Sequence, residues 1–286
     1  MVAAHFKTQI ALEVLEMKAA GKRVPHLAAI LVGNNGSSET YVAAKVKACE
    51  LVGYNSSLFR FPDTITEQEL LEKVEEINEN PALDGYIVQL PLPNHIDVNR
   101  IISAIKPSKD VDGFHPINTG RMAKNMPCFI AATPLGILKL MEYYQIQTLG
   151  KHCVVLGRSN IVGSPISILL ARDAYPGNCT VTLCHSKTSN LKALTQQADI
   201  LIVALGKPDY VRADMVKEGV VVIDVGLTRV SNPTKKSGFE LKGDVLYNEV
   251  AGKSSFITPV PGGVGPMTIV ALLENTMKAC KQEVYN

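Results

Sequence analysis

The sequence has almost no excess charge of either sign. Lys and Arg total 29 and Asp and Glu total 27, a formal net charge of +2 over 286 residues. That balance offers no field for a polyanion, which excludes nucleic acid as the main partner and an anionic membrane as a docking surface. Long apolar runs are missing as well. None approaches the roughly 20 residues that a membrane-spanning helix needs. Met1 to Ile10 carries His5 and Lys7 but no apolar stretch of a secretory signal. The expected compartment is the cytoplasm. Cysteine patterning is also absent. Cys49, Cys128, Cys153, Cys179, Cys184 and Cys280 are scattered, with no C-x-x-C and no His at finger-like spacing. A disulfide framework and a metal site are therefore not expected, and reduced cysteines packed as small apolar side chains are.

What is present is a globular composition, 46% hydrophobic and 20% charged, which excludes wholesale disorder. The length suits about two domains. Helix and strand patterns alternate almost throughout. Residues 8–20 carry Ile10, Leu12, Val14, Leu15 and Met17 at helical spacing and stop at Gly21. His26 to Val32 reads as a buried strand. A helix over 38–51 takes Ser37 and Ser38 as cap candidates and ends at Gly53. A strand follows at 56–61. Thr66 to Glu69 is a capping box for a helix to about Asn80. Gly85 to Leu90 is a strand, 97–105 a helix, and Lys106–Gly120 a loop. Thr133-Pro134 opens a helix with Thr as cap. Strands at 152–156, 180–184, 200–204 and 220–225 then alternate with helices at 163–171 and 189–197. Residues 231–240 read as a polar hairpin tip, and Gly265-Pro266 opens a last helix. The expected fold class is α/β, two domains with mostly parallel sheets. The division expected is 1–133 plus a returning 267–286, and 134–266.

The clearest local motif is Val154-Val155-Leu156-Gly157-Arg158-Ser159-Asn160-Ile161-Val162-Gly163. A strand ends in Gly157, and Gly163 opens a helix whose free N–H groups favour a phosphate. This is a Rossmann-type arrangement, with Ser159 where the middle glycine of G-x-G-x-x-G would stand. No acid follows the second strand. Cys184-His185-Ser186-Lys187-Thr188 stands there instead, and with Arg158 it favours the 2′-phosphate of NADP over NAD. His185 and Lys187 remain open between phosphate contacts and solvated loop residues. Ala204-Leu205-Gly206 and Asp224-Val225-Gly226 end later strands on the same edge and are candidates to flank ribose and nicotinamide. In the first half, Tyr41 and Lys45 share a helix face at i, i+4. Gln89 ends a strand before Pro91, and Asp110 and Asp112 lie in Lys109-Asp110-Val111-Asp112-Gly113. A lysine held in a cleft can have a depressed pKa and act as a base.

Read together, five ordered motifs resemble one family. They are Ser38-Glu39-Thr40-Tyr41-Val42-Ala43-Ala44-Lys45, Val88-Gln89-Leu90-Pro91-Leu92-Pro93, Lys109 to Phe114, Gly157 to Gly163, and Pro259-Val260-Pro261-Gly262-Gly263-Val264-Gly265-Pro266-Met267-Thr268. The chain resembles the bifunctional methylenetetrahydrofolate dehydrogenase/methenyltetrahydrofolate cyclohydrolases over nearly its whole length. The resemblance implies a folate cleft between two domains, NADP on the second, a homodimer paired through the nucleotide domains, and a role in one-carbon metabolism and purine biosynthesis. It also implies site roles. Lys45 matches the catalytic lysine, Tyr41 the tyrosine that stacks on the folate, Gln89 the glutamine that tunes the lysine, and Asp112 the acid that binds the pterin-like ring. Leu90, Pro261, Gly262 and Gly263 join the folate contacts. Gly157, Arg158, Ser159, Ile161, Gly163, His185, Ser186, Val225, Gly226 and Thr268 make up the cofactor site.

Departures from the family pattern are local. The N-terminus lacks a Gly-Lys element. Ala131-Ala132 stands where the family has Pro-Cys before Thr133-Pro134, with Cys128 displaced from that position. Asn34-Asn35-Gly36 replaces a turn with acid and proline. The other readings are a different NADP dehydrogenase, and a sensor of NADP or folate without catalysis. The first would need no Tyr41–Lys45–Gln89 cluster and the second no poised base.

Overall fold

The computed structural model describes residues 2–235 and 238–285. Lys236 and Ser237 of the expected hairpin tip, and the two terminal residues, lie outside the described residues. The chain forms two compact units, Met1–Ala132 with Ile269–Asn286, and Thr133–Thr268.

The first unit runs α1 (Val2–Ala19), β1 (His26–Val32), α2 (Gly36–Val52), β2 (Asn55–Phe61), α3 (Glu67–Glu79), β3 (Gly85–Val88), α4 (Val98–Ala104) and α5 (Pro116–Ala123). Its strands are parallel in the order β2-β1-β3. β1 is apolar on both faces, and Leu27 to Val32 are all buried, as suits a strand covered by helices on both sides. Ile30, Tyr86 and Val88 pack with Leu70, Val74 and Ile77 of α3 in one core. Cutting one of these large side chains to Ala costs about 2–5 kcal/mol.

The second unit runs α6 (Ala132–Tyr143, whose first residue belongs to the other unit), β4 (His152–Leu156), α7 (Gly163–Ala171), β5 (Thr180–Cys184), α8 (Leu191–Thr195), β6 (Ile200–Val203) and a 3-10 turn at Ala213–Met215. Then come β7 (Val220–Asp224), β8 (Thr228–Ser231), β9 (Phe239–Lys242), α9 (Tyr247–Val250) and β10 (Ser254–Ile257). α10 (Val264–Cys280) starts here and continues through residues of the first unit. Five parallel strands lie in the order β10-β7-β6-β4-β5, with β8 and β9 as a separate antiparallel pair. The architecture is two-domain α/β with mostly parallel sheets.

Several local readings are corrected. α1 begins at Val2, and Leu12 and Leu15 face solvent; Ile10, Val14 and Met17 form its buried stripe. The cap of α2 is Asn35, not Ser37 or Ser38: its Oδ1 accepts from the backbone N–H of both serines, at 3.0 and 3.2 Å. The stretch 106–120 is not all loop, because α5 starts at Pro116 with His115 as cap, Nδ1 accepting from Ile117 N at 3.0 Å. Histidine is an uncommon cap, so the pattern is easily passed over. Thr133 lies inside α6 rather than capping it, and α8 is shorter than the 189–197 expected. β10, an edge strand opening Ser254-Ser255, has no apolar alternation and was not foreseen.

Candidate active site

The order β2-β1-β3 places a topological switch point between β1 and β3, where ligands of open α/β sheets bind at the carboxyl ends of the strands. Gln89 follows β3 and prolongs its pairing, Gln89 N donating to Ile30 O at 2.9 Å. Lys45 sits on α2, the helix entered from β1. Its Nζ donates to Gln89 Oε1 at 3.1 Å, while Gln89 Nε2 donates to the Leu90 carbonyl at 2.8 Å. Ser38 Oγ reaches that same carbonyl at 3.5 Å, tying the start of α2 to the segment after β3. The glutamine is thus fixed at both ends of its amide. Tyr41, one turn before Lys45, exposes about a third of its surface.

Burial pushes the Lys45 ammonium below the usual lysine range, and the Asp112 carboxylate pulls the other way. Asp112 is lifted by burial and lowered by Lys45. The two side chains therefore share one field, although among the described residues no hydrogen-bond donor reaches the Asp112 carboxylate.

Asp112 stands on a strapped loop. Buried Asp110 accepts from Phe114 N at 3.2 Å, His115 N at 2.8 Å and Asn118 Nδ2 at 2.9 Å. Burial still holds its carboxyl up at about 6. From α10, buried Asn275 donates to the carbonyls of Val111 and Ile130, both at 2.9 Å. Gly113 has φ 76°, and a Cβ there would meet the backbone of Ile130 and Ala131. The residue types of this loop are set by backbone fit as much as by chemistry.

The second sheet, read in order of appearance, is 2-1-3-4-5, with its switch point between β4 and β6. Gly157 stands there with φ 109°, and a Cβ would strike the Ala204 carbonyl; a Cβ on Gly163 would strike the Gly157 carbonyl. Both glycines are therefore demanded by the packing of strand, loop and helix, whatever they bind. Arg158, Ser159 and Ile161 are exposed beside them. No side chain caps α7. Ser159 instead turns inward on the loop, its Oγ accepting from Val162 N at 3.2 Å. At the end of β5, His185 N donates to Thr188 Oγ1 at 2.9 Å and its Nδ1 accepts from Lys187 N at 3.2 Å. That turn occupies Nδ1 and leaves Nε2 as the ring atom available to a phosphate. Ser186 is exposed. Val225 N is bonded to Val203 O at 2.8 Å and Gly226 N to Asp224 Oδ1 at 3.0 Å.

Pro261, Gly262 and Gly263 lie in this second unit, where Gly263 N bonds Pro259 O at 2.9 Å before α10 begins. Thr268 Oγ1 lies 3.1 Å from Thr133 Oγ1 and donates to Val264 O at 3.3 Å. Three polar residues that hold the loops at these strand ends escaped sequence reasoning: Asn275, Thr258 and Asp244. For Asn275 a signal existed, an amide on the helix stretch that also carries the buried Ala271, Leu272, Leu273 and Met277. For Asp244 there was none beyond an acid next to a glycine.

The chain is similar to known proteins over nearly its whole length. Residues 1–112 match the catalytic-domain model of the tetrahydrofolate dehydrogenase/cyclohydrolases, and residues 131–284 match the NAD(P)-binding-domain model. A protein of Cytophaga hutchinsonii named "Bifunctional protein FolD" is 62% identical over 275 residues, 96% of this chain and 95% of that one. The crystal structure of a bifunctional methylenetetrahydrofolate dehydrogenase/cyclohydrolase from Campylobacter jejuni is 46% identical, covering 98% of this chain and 96% of that one at a TM-score of 0.91. A Trypanosoma brucei methylenetetrahydrofolate dehydrogenase-cyclohydrolase, solved with NADP and an inhibitor, is 36% identical, covering 100% and 96% at a TM-score of 0.93. With both domain models matched in order and such identity over almost the whole length, the chain belongs to the tetrahydrofolate dehydrogenase/cyclohydrolase family of bifunctional enzymes.

Proposed function

We propose that this chain oxidises 5,10-methylenetetrahydrofolate with NADP and hydrolyses the methenyl product to 10-formyltetrahydrofolate, Lys45 serving as general base and then acid. One observation carries the reading: a lysine whose charged form is disfavoured by burial, aimed by a neutral glutamine through a 3.1 Å hydrogen bond.

The residues present fit a dinucleotide. The second unit offers a tight glycine loop, a helix with no side-chain cap, an exposed Arg158 and the Ser186 hydroxyl, and no acid ends β5. A cation and hydroxyl donors in place of that acid suit a 2′-phosphate. Bound there, NADP supplies the hydride acceptor. The chain's own task in oxidation is placement, because the folate nitrogens adjoining the bridge carbon stabilise the cation that forms and no side chain need take a proton. Tyr41 stacks on the ring, Asp112 accepts two hydrogen bonds from its aminopyrimidine edge, and Leu90 joins them in holding the folate. Gly157, Ser159, Ile161, Gly163, His185, Val225, Gly226 and Thr268 are assigned to the dinucleotide.

Hydrolysis does require proton transfer. A cationic methenyl substrate further disfavours the ammonium of Lys45, which favours the neutral amine. It takes a proton from the attacking water and returns one to the departing ring nitrogen. Gln89 directs the amine without adding the negative charge that would restore its high pKa.

The test is turnover of 5,10-methylenetetrahydrofolate with NADP, followed by acidification to reclose any 10-formyl product. NADPH formation with recovered methenyl absorbance is expected. NADPH without recovery would remove the hydrolytic half of the proposal, and no NADPH would remove all of it. On the family resemblance, the chain is further assigned to supply of one-carbon units for purine biosynthesis and to a homodimer. A monomer in sedimentation equilibrium would remove the last.

A further inference from the structure

The loop after β6 is held by an anion of the protein itself. Leu205 N, Gly206 N and Lys207 N converge on the Asp244 carboxylate at 2.6, 2.9 and 2.7 Å. Three successive amides around one anion form a nest of the kind that usually receives a ligand's phosphate. Here the anion is a side chain with no exposed surface.

Asp244 is anchored in turn by Asp224 at the end of β7. The Asp224 carboxylate accepts from Asp244 N, Val245 N and Gly226 N, each at 3.0 Å. Asp224 N donates to Thr258 Oγ1, just past β10, at 2.8 Å. The fit is tight enough to dictate sequence: a Cβ on Gly226 would enter the Asp244 carboxylate, and one on Gly243 the Asp224 carboxylate. Two buried acids therefore join the ends of β6, β7 and β10. The joined loop begins at Ala204, whose carbonyl backs directly onto Gly157 at the switch point.

A buried carboxylate is costly to desolvate and a second one beside it more so. An apolar loop would stabilise the fold at less cost, so the arrangement calls for a role beyond stability. We propose that Asp244 is the positioning residue of the cofactor site, its carboxylate setting the shape of the loop after β6 and so the support beneath Gly157 before the dinucleotide arrives. This rests on the reading that NADP binds at this sheet edge. With no exposed surface, Asp244 acts through backbone amides.

The test is Asp244→Asn, read by three measurements: the KM and Kd for NADP, the hydrolysis of methenyltetrahydrofolate supplied directly without NADP, and thermal stability. The amide keeps the size but turns one end from acceptor to donor, so at least one of the three N–H groups loses its partner. Weakening of NADP by roughly tenfold or more is expected, equivalent to about 1.4 kcal/mol, with hydrolysis unchanged within about twofold. Unaltered NADP affinity, or both activities falling in parallel with stability, would overturn the proposal. Should the variant not fold, hydrogen exchange on the wild-type chain decides. Leu205, Gly206 and Lys207 amides protected before NADP is added support preorganisation; amides protected only after it refute it. Failure of the unaltered chain to bind NADP would strike the functional reading beneath.

Discussion

The two sheets begin alike, each with its first strand between its second and third, and so each has a switch point at the carboxyl ends of its first and third strands. They fill it with different atoms. In the first unit the position is occupied by side chains, Lys45 and Gln89, with Asp112 close enough to share their field. In the second it is occupied by backbone, with Gly157 against Ala204 and three amides folded around Asp244. Each unit also sets loop geometry with a buried aspartate whose carboxyl burial lifts to about 6, Asp110 in the first and Asp224 in the second. Proton transfer needs an ionisable group whose pKa is tuned, and a dinucleotide needs a surface of donors held at fixed spacing. The same topology serves both because the strand ends only set the place; the chemistry comes from what the loops carry.

The sharpest break of this comparison is Lys45→Met. Hydrolysis is expected to fall by about 10²–10⁴-fold, the usual worth of a general acid–base group, while oxidation falls much less. Equal losses measured on the folded variant would mean that the two units do not divide the chemistry this way.

Next in size is Arg158→Ala. The ratio of KM for NADP to KM for NAD should rise by roughly tenfold or more, the loss of a charge-assisted contact; an unchanged ratio would end the 2′-phosphate role.

Asn275→Ala leaves the Val111 and Ile130 carbonyls unpaired beside Asp112. A cost of about 1–3 kcal/mol in urea unfolding is expected, with a raised KM for the folate and an unaltered KM for NADP. A rise in both would show that the strap does not belong to the first site alone.

A smaller effect concerns pH and treats both units together. Asp110 and Asp224 bind protons more tightly folded than unfolded, so each imposes a cost that is complete above about pH 6 and relieved as pH falls toward the unfolded value near 4. Going from pH 7 to pH 5 should therefore stabilise the fold by about 1 kcal/mol per group. His115, whose imidazole burial holds below its ordinary value, opposes this within the same window, whereas acids held down by ion pairs, such as Asp199 with Lys217, oppose it only at lower pH. A urea midpoint that drops steadily from pH 7 to pH 5 would contradict it.

Smallest is Asn35→Ala, which removes the cap of α2 at about 1 kcal/mol and should move the urea midpoint while leaving the Lys45–Gln89 pair, more than two turns along, in place.

Much of this was legible in order along the chain. β1, β4, α7 and β5 coincide with the ranges expected, because apolar strands bounded by glycine and a helix opened by Gly163 are local patterns. Lys45 and Tyr41 were legible as one helix face, and Gln89 as the end of a strand. The cap of α2 was not, since serine and asparagine are equal candidates until the backbone shows which oxygen meets which N–H. α5 was missed because its cap is a histidine, and β10 because an edge strand needs no apolar alternation.

The sequence by itself determined the alternation of strand and helix, the apolar strands that require parallel sheets covered on both faces, and the residue types able to carry the chemistry. These follow from periodicity and side-chain identity, which are local. Only the tertiary structure decided that Gln89 aims Lys45 across 44 positions, that Asn275 holds the Asp112 loop from 164 positions away, and that Asp244 closes the loop after β6. Such contacts depend on strand order and register, and those are fixed by the packing of the whole unit rather than by any neighbouring residue.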